Sequence, residues 1–126
     1  MLVQITRAGY DREKYKLQKI LAEEATLRAE LLRLDELNSR ARLEIDESHR
    51  AIGADVLWQA WIGRAKTALN MKLARLRAVK EHHQNLVRKA YGKVLVADEL
   101  RAKAQQERRQ RQVKHALHQA IDGSLF

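Results

Sequence analysis

The chain has 126 residues and a formal net charge of +9, and 33% of its residues are charged. A chain of this length forms one domain, and so many charged residues leave too few apolar side chains for a large globular core. The absence of cysteine excludes disulfides and thiolate metal sites. The chain has no proline, and its abundant Ala, Leu, Arg, Lys, Glu and Gln favour helix almost everywhere.

The positive charge is concentrated in the second half of the chain. Residues 1–63 carry 10 Lys and Arg against 11 Asp and Glu, whereas residues 64–126 carry 15 against 5. This asymmetry predicts an acidic partner for the second half, and nucleic acid, an anionic membrane and an acidic protein cavity all qualify.

A seven-residue apolar repeat predicts a first long helix over about residues 4–52. Its a positions are Tyr10, Leu17, Glu24, Leu31, Asn38, Ile45 and Ile52, and its d positions are Glu13, Ile20, Leu27, Leu34, Ala41 and Ser48. Most of these side chains are apolar over about six heptads, which is typical of a coiled coil.

A chain reversal is predicted over residues 53–55. Gly53 can adopt the left-handed conformation that ends a helix, and Asp55 can accept hydrogen bonds from the free N–H groups that open the next one. We therefore expect the first helix to end, and the second to begin, at this point.

A second repeat predicts a longer helix over about residues 56–121, which continues through Gly63 and Gly92 and ends near Gly123. One set of seam positions is Ile62, Leu69, Leu76, Ala90, Ala97 and Ala104, and the other is Trp58, Ala65, Val79, Leu86 and Leu100. Lys72, His83 and Lys93 interrupt these sets.

The short connection predicts that the two helices pack side by side in opposite directions. The fold class is then all-α: two long helices in an antiparallel coiled-coil hairpin, the second helix longer. A reversal at residues 53–54 would bring Tyr10 near Ala97 and Leu31 near Leu76. It would also leave the second helix without a partner beyond about residue 104, where the sequence is basic and polar.

Three polar residues at predicted seam positions are candidates for setting the register of the two helices. Asn38 is the residue type best known for this role in coiled coils. Glu24 and His83 are predicted at similar heights and could form a hydrogen-bonded pair. The alternative for each is a polar defect in the seam without such a role.

The two tryptophans lie just after the predicted reversal. Trp58 falls on the seam and is expected to close the end of the coiled coil, whereas Trp61 falls off the seam. Because exposed aromatic side chains dominate binding hot spots, Leu57, Trp58 and Trp61 are candidates for a partner-binding tip.

The chain has no phosphate-binding glycine loop, nucleophile elbow or HExxH motif, so we expect neither an enzyme nor a protein with a small-molecule substrate or cofactor. The His82-His83 and His115/His118 pairs lack further ligands nearby, so no metal site is expected. No apolar run approaches the ~20 residues of a membrane span, and no signal peptide is evident, which predicts a soluble cytoplasmic protein that does not insert into the membrane.

The basic stretch near the C-terminus has three interpretations. It could be a solvated face, yet its charges are nearly all of one sign and lack interleaved acidic residues. Nucleic acid could bind such a stretch, but no known nucleic-acid-binding motif accompanies it. A protein partner is therefore the favoured interpretation.

With its two-helix pattern, the aromatic stretch Val56-Leu57-Trp58-Gln59-Ala60-Trp61-Ile62 and its basic, glutamine-rich C-terminal helix, the chain resembles the stalk proteins of type III secretion systems. These are the flagellar FliJ proteins and their injectisome counterparts, often called SctO. The resemblance covers nearly the whole chain and lies in architecture and pattern rather than in a strict motif.

The resemblance implies a non-enzymatic stalk whose paired chain ends insert into the pore of the hexameric export ATPase, while other parts contact the export gate and the export chaperones. The tip residues would then face the gate. The residues implied to contact the ATPase are Arg7, Arg12, Arg101, Lys103, Arg108, Arg109, Arg111 and Lys114. A nucleic-acid-binding hairpin and a generic coiled-coil adaptor remain as alternatives.

Overall fold

Two α-helices account for nearly all of the structure. The computed structural model describes residues 1–45 and 52–124, and in these ranges the chain forms α1 (Leu2–Ile45) and α2 (Ile52–Ser124). The helices have 44 and 73 residues. No strand occurs in either range. The all-α prediction with a longer second helix is confirmed.

The second helix starts earlier than predicted. Residues 53–55 lie inside α2 instead of forming a reversal. Gly53 has no positive φ, so it does not act as a left-handed helix terminator. Asp55 lies in the first turn of α2, where its carboxylate interacts favourably with the helix dipole. The predicted extension of the first helix over residues 46–51 lies outside the described residues.

The other end of α2 also differs slightly from the prediction. The helix extends through Gly123 to Ser124, and the Ser124 hydroxyl donates a hydrogen bond to the carbonyl of Ile121 at 2.8 Å. Gly63 and Gly92 lie within α2 and do not interrupt it, as predicted.

The chain divides into two compact units, and each contains a segment of both helices. Unit 1 comprises Met1–Glu13 and Leu86–Phe126, and unit 2 comprises Lys14–Asn85. The prediction of a single domain over residues 1–126 stays a prediction.

The helix segments are antiparallel within each unit. In unit 2, contacts join Glu24 to Lys80 and Asn38 to Gln59, so the partner number falls as the α1 number rises. In unit 1, an ion pair joins Arg7 to Asp98, and the rings of Tyr10 and Tyr91 lie 5.4 Å apart.

The predicted alignment of the two helices is shifted. Tyr10 contacts Tyr91, whereas a reversal at residues 53–54 would have brought it near Ala97. The shift accompanies the earlier start of α2: because α2 begins at Ile52 and not after residue 55, each α1 residue lies beside a lower-numbered residue of α2.

The predicted seam of α1 is confirmed by burial. Every predicted a and d position from Tyr10 to Ala41 is buried or half-buried. Of the other residues between Tyr10 and Ala41, only Lys14 is half-buried, and the rest are exposed. The side chains of Ile45, Ser48 and Ile52 lie outside the part of the chain whose burial is described.

The predicted seam of α2 is half right. Ile62, Leu69, Leu76, Ala90 and Ala97 are buried or half-buried as expected. Ala104 and Leu100, however, are exposed. Trp58, Ala65 and Leu86 of the second set are half-buried as predicted. At the other positions after residue 71 this set lies one residue later than predicted, so that Lys72, Val79 and Lys93 are exposed and the seam contains Leu73, Lys80 and Val94, with Val87 beside Leu86. A lysine at a seam position is unfavourable when it has no partner, so the sequence argues against placing Lys80 there. In the structure its ammonium group forms an ion pair with Glu24 across the seam.

Candidate partner-binding surfaces

The residues predicted to form a basic end all belong to unit 1. Met1 and Leu2, the first residue of α1, lie beside Leu100 and Arg101 of α2, where they line the same surface hollow. Arg7 is engaged within the chain, because its guanidinium lies 3.2 Å from an Asp98 carboxylate oxygen. Arg12 is exposed.

The other cationic residues predicted to contact the ATPase lie on a part of α2 in which no side chain is buried. Every residue from 99 to 124 is exposed, although α2 continues to Ser124. We call residues 101–114 the basic segment; it holds six Lys and Arg and a single acidic residue, Glu107. Helix in this stretch is stabilised only by its own backbone and neighbouring side chains, which is a marginal arrangement in water.

An apolar stripe that the sequence analysis missed overlaps the end of the basic segment. Val113, Leu117 and Ile121 are 67%, 59% and 48% exposed and lie four residues apart, on one face of α2. At 3.6 residues per turn, this face is turned away from the side of α2 on which Val94 and Ala97 are buried. The stripe is therefore a separate surface and does not continue the seam. The four-residue spacing in the sequence could have revealed it.

The two tryptophans form a pair in unit 2. Their ring centroids are 5.3 Å apart with an interplanar angle of 31°. Trp58 is half-buried, and its indole N–H is buried without a hydrogen-bond partner among the described residues. Trp61 is 47% exposed and Leu57 is 73% exposed. Trp58 thus occupies the seam, whereas Trp61 and Leu57 offer apolar surface to the outside.

A charged layer crosses the seam of unit 2 at Glu24. This residue is 5% exposed, and its carboxylate lies 2.9 Å from the Lys80 ammonium and 2.8 Å from the Arg28 guanidinium. The hydrogen bond from Lys80 is the largest cause that lowers the pKa of Glu24, and the positive charges of Arg28, Lys80 and Arg77 add to it, against the opposing effect of burial.

The hydrogen bond between Glu24 and His83, one of the two possibilities left open for these residues, is not formed. Glu24 is bound by Lys80 and Arg28, and the buried His83 Nδ1 has no hydrogen-bond partner among the described residues. Because α2 starts earlier than expected, Lys80 and not His83 reaches the height of Glu24. The His83 ring contacts the His82 ring edge-on, with centroids 5.5 Å apart.

Asn38 forms the second polar contact across the seam. It is 8% exposed, and its side-chain oxygen accepts a hydrogen bond from the Gln59 amide at 2.9 Å. A buried amide of this kind is satisfied in one alignment of the helices and loses its partner in others. The geometry suits a register-setting residue, and that role stays a prediction.

Within residues 1–45 and 52–124, no three His, Asp or Glu side chains come together in a way that could hold a metal ion. In the same ranges, neither helix contains an apolar stretch long enough to cross a lipid bilayer.

No family model, curated protein or solved structure matches the chain.

Proposed function

We propose that the chain is a non-enzymatic helical hairpin that uses the basic segment to engage an acidic cavity of a partner protein, as the stalk component of a type III secretion export apparatus. The partner would be the hexameric export ATPase, and the export gate and export chaperones would bind other surfaces. The chain would act in the cytoplasm, at the periphery of the inner-membrane apparatus.

One observation carries this proposal: residues 99–124 are helical and entirely exposed, and the basic segment within them carries six cations against one carboxylate. A helix with neighbouring cations and no internal packing gains stability when an acidic surface surrounds it. Long arginine side chains also allow electrostatic contact without a rigidly fixed interface.

The central test measures the assembly of the ATPase and its rate of ATP hydrolysis, with and without the chain. Wild-type protein should promote hexamer assembly, read by sedimentation, and raise the rate of ATP hydrolysis. A triple variant of the basic segment, Arg108→Glu/Arg109→Glu/Arg111→Glu, should weaken the effect by about tenfold or more, because each change replaces attraction with repulsion.

The matched control reverses three exposed arginines elsewhere, in Arg33→Glu/Arg40→Glu/Arg64→Glu, which belong to unit 2. This variant has the same net charge as the first and should behave like the wild type. The proposal is refuted if wild-type protein changes neither assembly nor hydrolysis, or if the two triple variants behave alike.

The export gate is assigned to the exposed apolar residues beside the tryptophan pair. Leu57→Ala and Trp61→Ala should weaken binding of the cytoplasmic domain of the gate, because both side chains are largely exposed and aromatic or aliphatic anchors dominate such contacts. Met71→Ala, another exposed apolar residue of unit 2, is the control. Equal binding by all three variants would remove this assignment.

Nucleic acid is a second candidate partner, favoured by the run of cations in the basic segment. Binding to a fluorescent DNA duplex should then fall by about one power of salt concentration for each phosphate contacted. The absence of binding at low salt would eliminate this alternative.

A further inference from the structure

Unit 1 carries an open groove between α1 and α2 that no predicted site includes. Its volume is about 610 Å³, and its walls are almost entirely apolar. Leu2 on one wall and Val96 on the other are 52% and 56% exposed. A smaller hollow of about 200 Å³ adjoins the groove and shares Thr6, Lys89 and Lys93 with it. Together these two hollows form what we call the unit 1 groove.

The one hydroxyl in the wall is already used within α1. The Thr6 hydroxyl lies 3.0 Å from the carbonyl oxygens of both Leu2 and Val3 and can donate to either. A hydroxyl that is hydrogen-bonded to carbonyls of its own helix offers few polar contacts to a ligand. The groove therefore favours an apolar surface over a polar ligand.

Two glycines line the unit 1 groove, and neither is required by the backbone conformation or the packing of its helix. Gly92 lines the larger hollow and Gly9 the smaller one, and both lie within helices, where glycine is less stable than alanine. Neither has a positive φ, and a Cβ added to either would meet nothing within 4 Å. The fold itself would accept alanine at both positions. Because neither position carries a side chain, both hollows are open to something outside the chain.

The rim of the unit 1 groove is basic. Lys89 and Lys93 lie one turn apart on α2, line both hollows and are exposed. Neither forms a salt bridge with another residue in the described ranges. Glu13, the single carboxylate of the lining, has an interaction within the chain.

We propose that the unit 1 groove is the docking site for an acidic amphipathic helix of a partner protein. An α-helix lying in the groove would place its apolar stripe on Leu2 and Val96, pass closely over Gly92, and bring carboxylates to Lys89 and Lys93. This inference is independent of the ATPase proposal, because it concerns a different surface and requires only a helix of this chemistry.

Other occupants fit less well. A bilayer presents a broad surface that does not enter a narrow groove between two helices, and a phosphate backbone binds through its charge and gains nothing from apolar walls. A second copy of the chain would bring the same two lysines and a net charge of +9 to a symmetric contact. Charge complementarity therefore favours an acidic helix.

The test uses a fluorescein-labelled helical peptide of about 20 residues, with leucine at alternating three- and four-residue spacings and glutamate beside them. A peptide with lysine in place of each glutamate is the charge control. We expect the acidic peptide to bind the wild-type chain in fluorescence anisotropy, with affinity that falls as salt is added, and the basic peptide to bind at least about tenfold more weakly.

Variants then separate the groove from the rest of the surface. Gly92→Leu fills the groove and should weaken acidic-peptide binding about tenfold or more, while Gly63→Leu fills open space on unit 2 and should leave it unchanged. Gly92→Ala should raise the thermal midpoint of the chain and also weaken binding, a combination that loss of folding cannot produce. If Gly92→Leu does not fold, Lys89→Glu/Lys93→Glu compared with Arg33→Glu/Arg40→Glu decides the question.

The proposal is overturned if the acidic peptide does not bind, if it binds no better than the basic peptide, or if neither Gly92→Leu nor Lys89→Glu/Lys93→Glu weakens it relative to their controls. It is likewise overturned if sedimentation shows a dimer of the chain that Gly92→Leu abolishes, because a second copy would then occupy the groove.

Discussion

Two parts of the same helix, α2, are stabilised differently. Between residues 62 and 97, α2 buries Ile62, Leu69, Leu73, Val94 and Ala97. Between residues 99 and 124, it buries no side chain. Helical propensity alone makes an isolated helix marginal, whereas an apolar seam against a second helix makes it stable. The chain itself therefore stabilises residues 62–97 of α2. Residues 99–124 are the part of this helix that a partner would stabilise.

The same substitution in the two parts gives the largest expected contrast. Val94→Asp should lower the free energy of unfolding by about 3 kcal/mol or more, because it buries an unpaired carboxylate in a position that is 6% exposed. Val113→Asp, at 67% exposure, should change it by less than about 0.5 kcal/mol. Urea unfolding followed by circular dichroism measures both, and equal losses would contradict the distinction.

The next largest effect concerns the charged layer at Glu24. Its pKa is lowered in the folded chain, so the unfolded state binds the proton first as the pH falls. The stability that the ion pairs provide is present above the ordinary glutamate pKa of about 4.3 and is lost as the pH drops through the lower folded value. Glu24→Gln should remove this part of the acid sensitivity in unfolding experiments between neutral and acidic pH.

The exposed neighbour Glu23 supplies the control for this experiment. Glu23→Gln should retain the acid sensitivity of the wild type. Identical pH profiles for Glu24→Gln and the wild type would show that the Lys80 and Arg28 contacts do not stabilise the fold.

A smaller effect is expected at Asn38. Asn38→Ala removes the acceptor for the Gln59 amide and should cost about 1 kcal/mol of unfolding free energy. Asn70→Ala, at an exposed position of α2, should cost less than about 0.5 kcal/mol. Spin labels on both helices would report alignment: a broader distance distribution in Asn38→Ala supports the register role, and an unchanged one argues against it.

The smallest effect is expected for the exposed ion pair of unit 1. Arg7→Ala should lower the free energy of unfolding by no more than about 1 kcal/mol, because both Arg7 and Asp98 are substantially exposed and solvent screens their attraction. The difference in unfolding free energy between Arg7→Ala and the control Arg12→Ala should become smaller as salt is added. A loss for Arg7→Ala as large as that for Val94→Asp would contradict this prediction, because the ion pair would then stabilise the fold as much as the seam does.

The fold could be predicted from the sequence because its main signal is periodic. The frame of α1 was readable since its a and d positions are mostly aliphatic from Leu17 to Leu34. The frame of α2 was ambiguous, because Lys80 occupies a seam position that a charge normally avoids and only the contact with Glu24 explains it. Gly53 looked like a helix terminator, but glycine is also tolerated within the first turn of a helix.

The candidate sites were only partly predictable. The cations of the basic segment are visible in composition, and the exposure of Trp61 followed from its position off the seam. The unit 1 groove could not be derived, because its walls come from both helices and their alignment depends on where the connection lies. The sequence offered one hint of the groove, which was Gly92, a glycine inside a predicted helix.

Amide hydrogen exchange on the wild-type chain tests the central claim most directly. If α1 stabilises only the paired part of α2, amides between residues 62 and 97 should exchange at least about 100-fold more slowly than those between 102 and 120, because opening the paired part disrupts the seam. Uniformly strong protection along the whole of α2 would contradict the account.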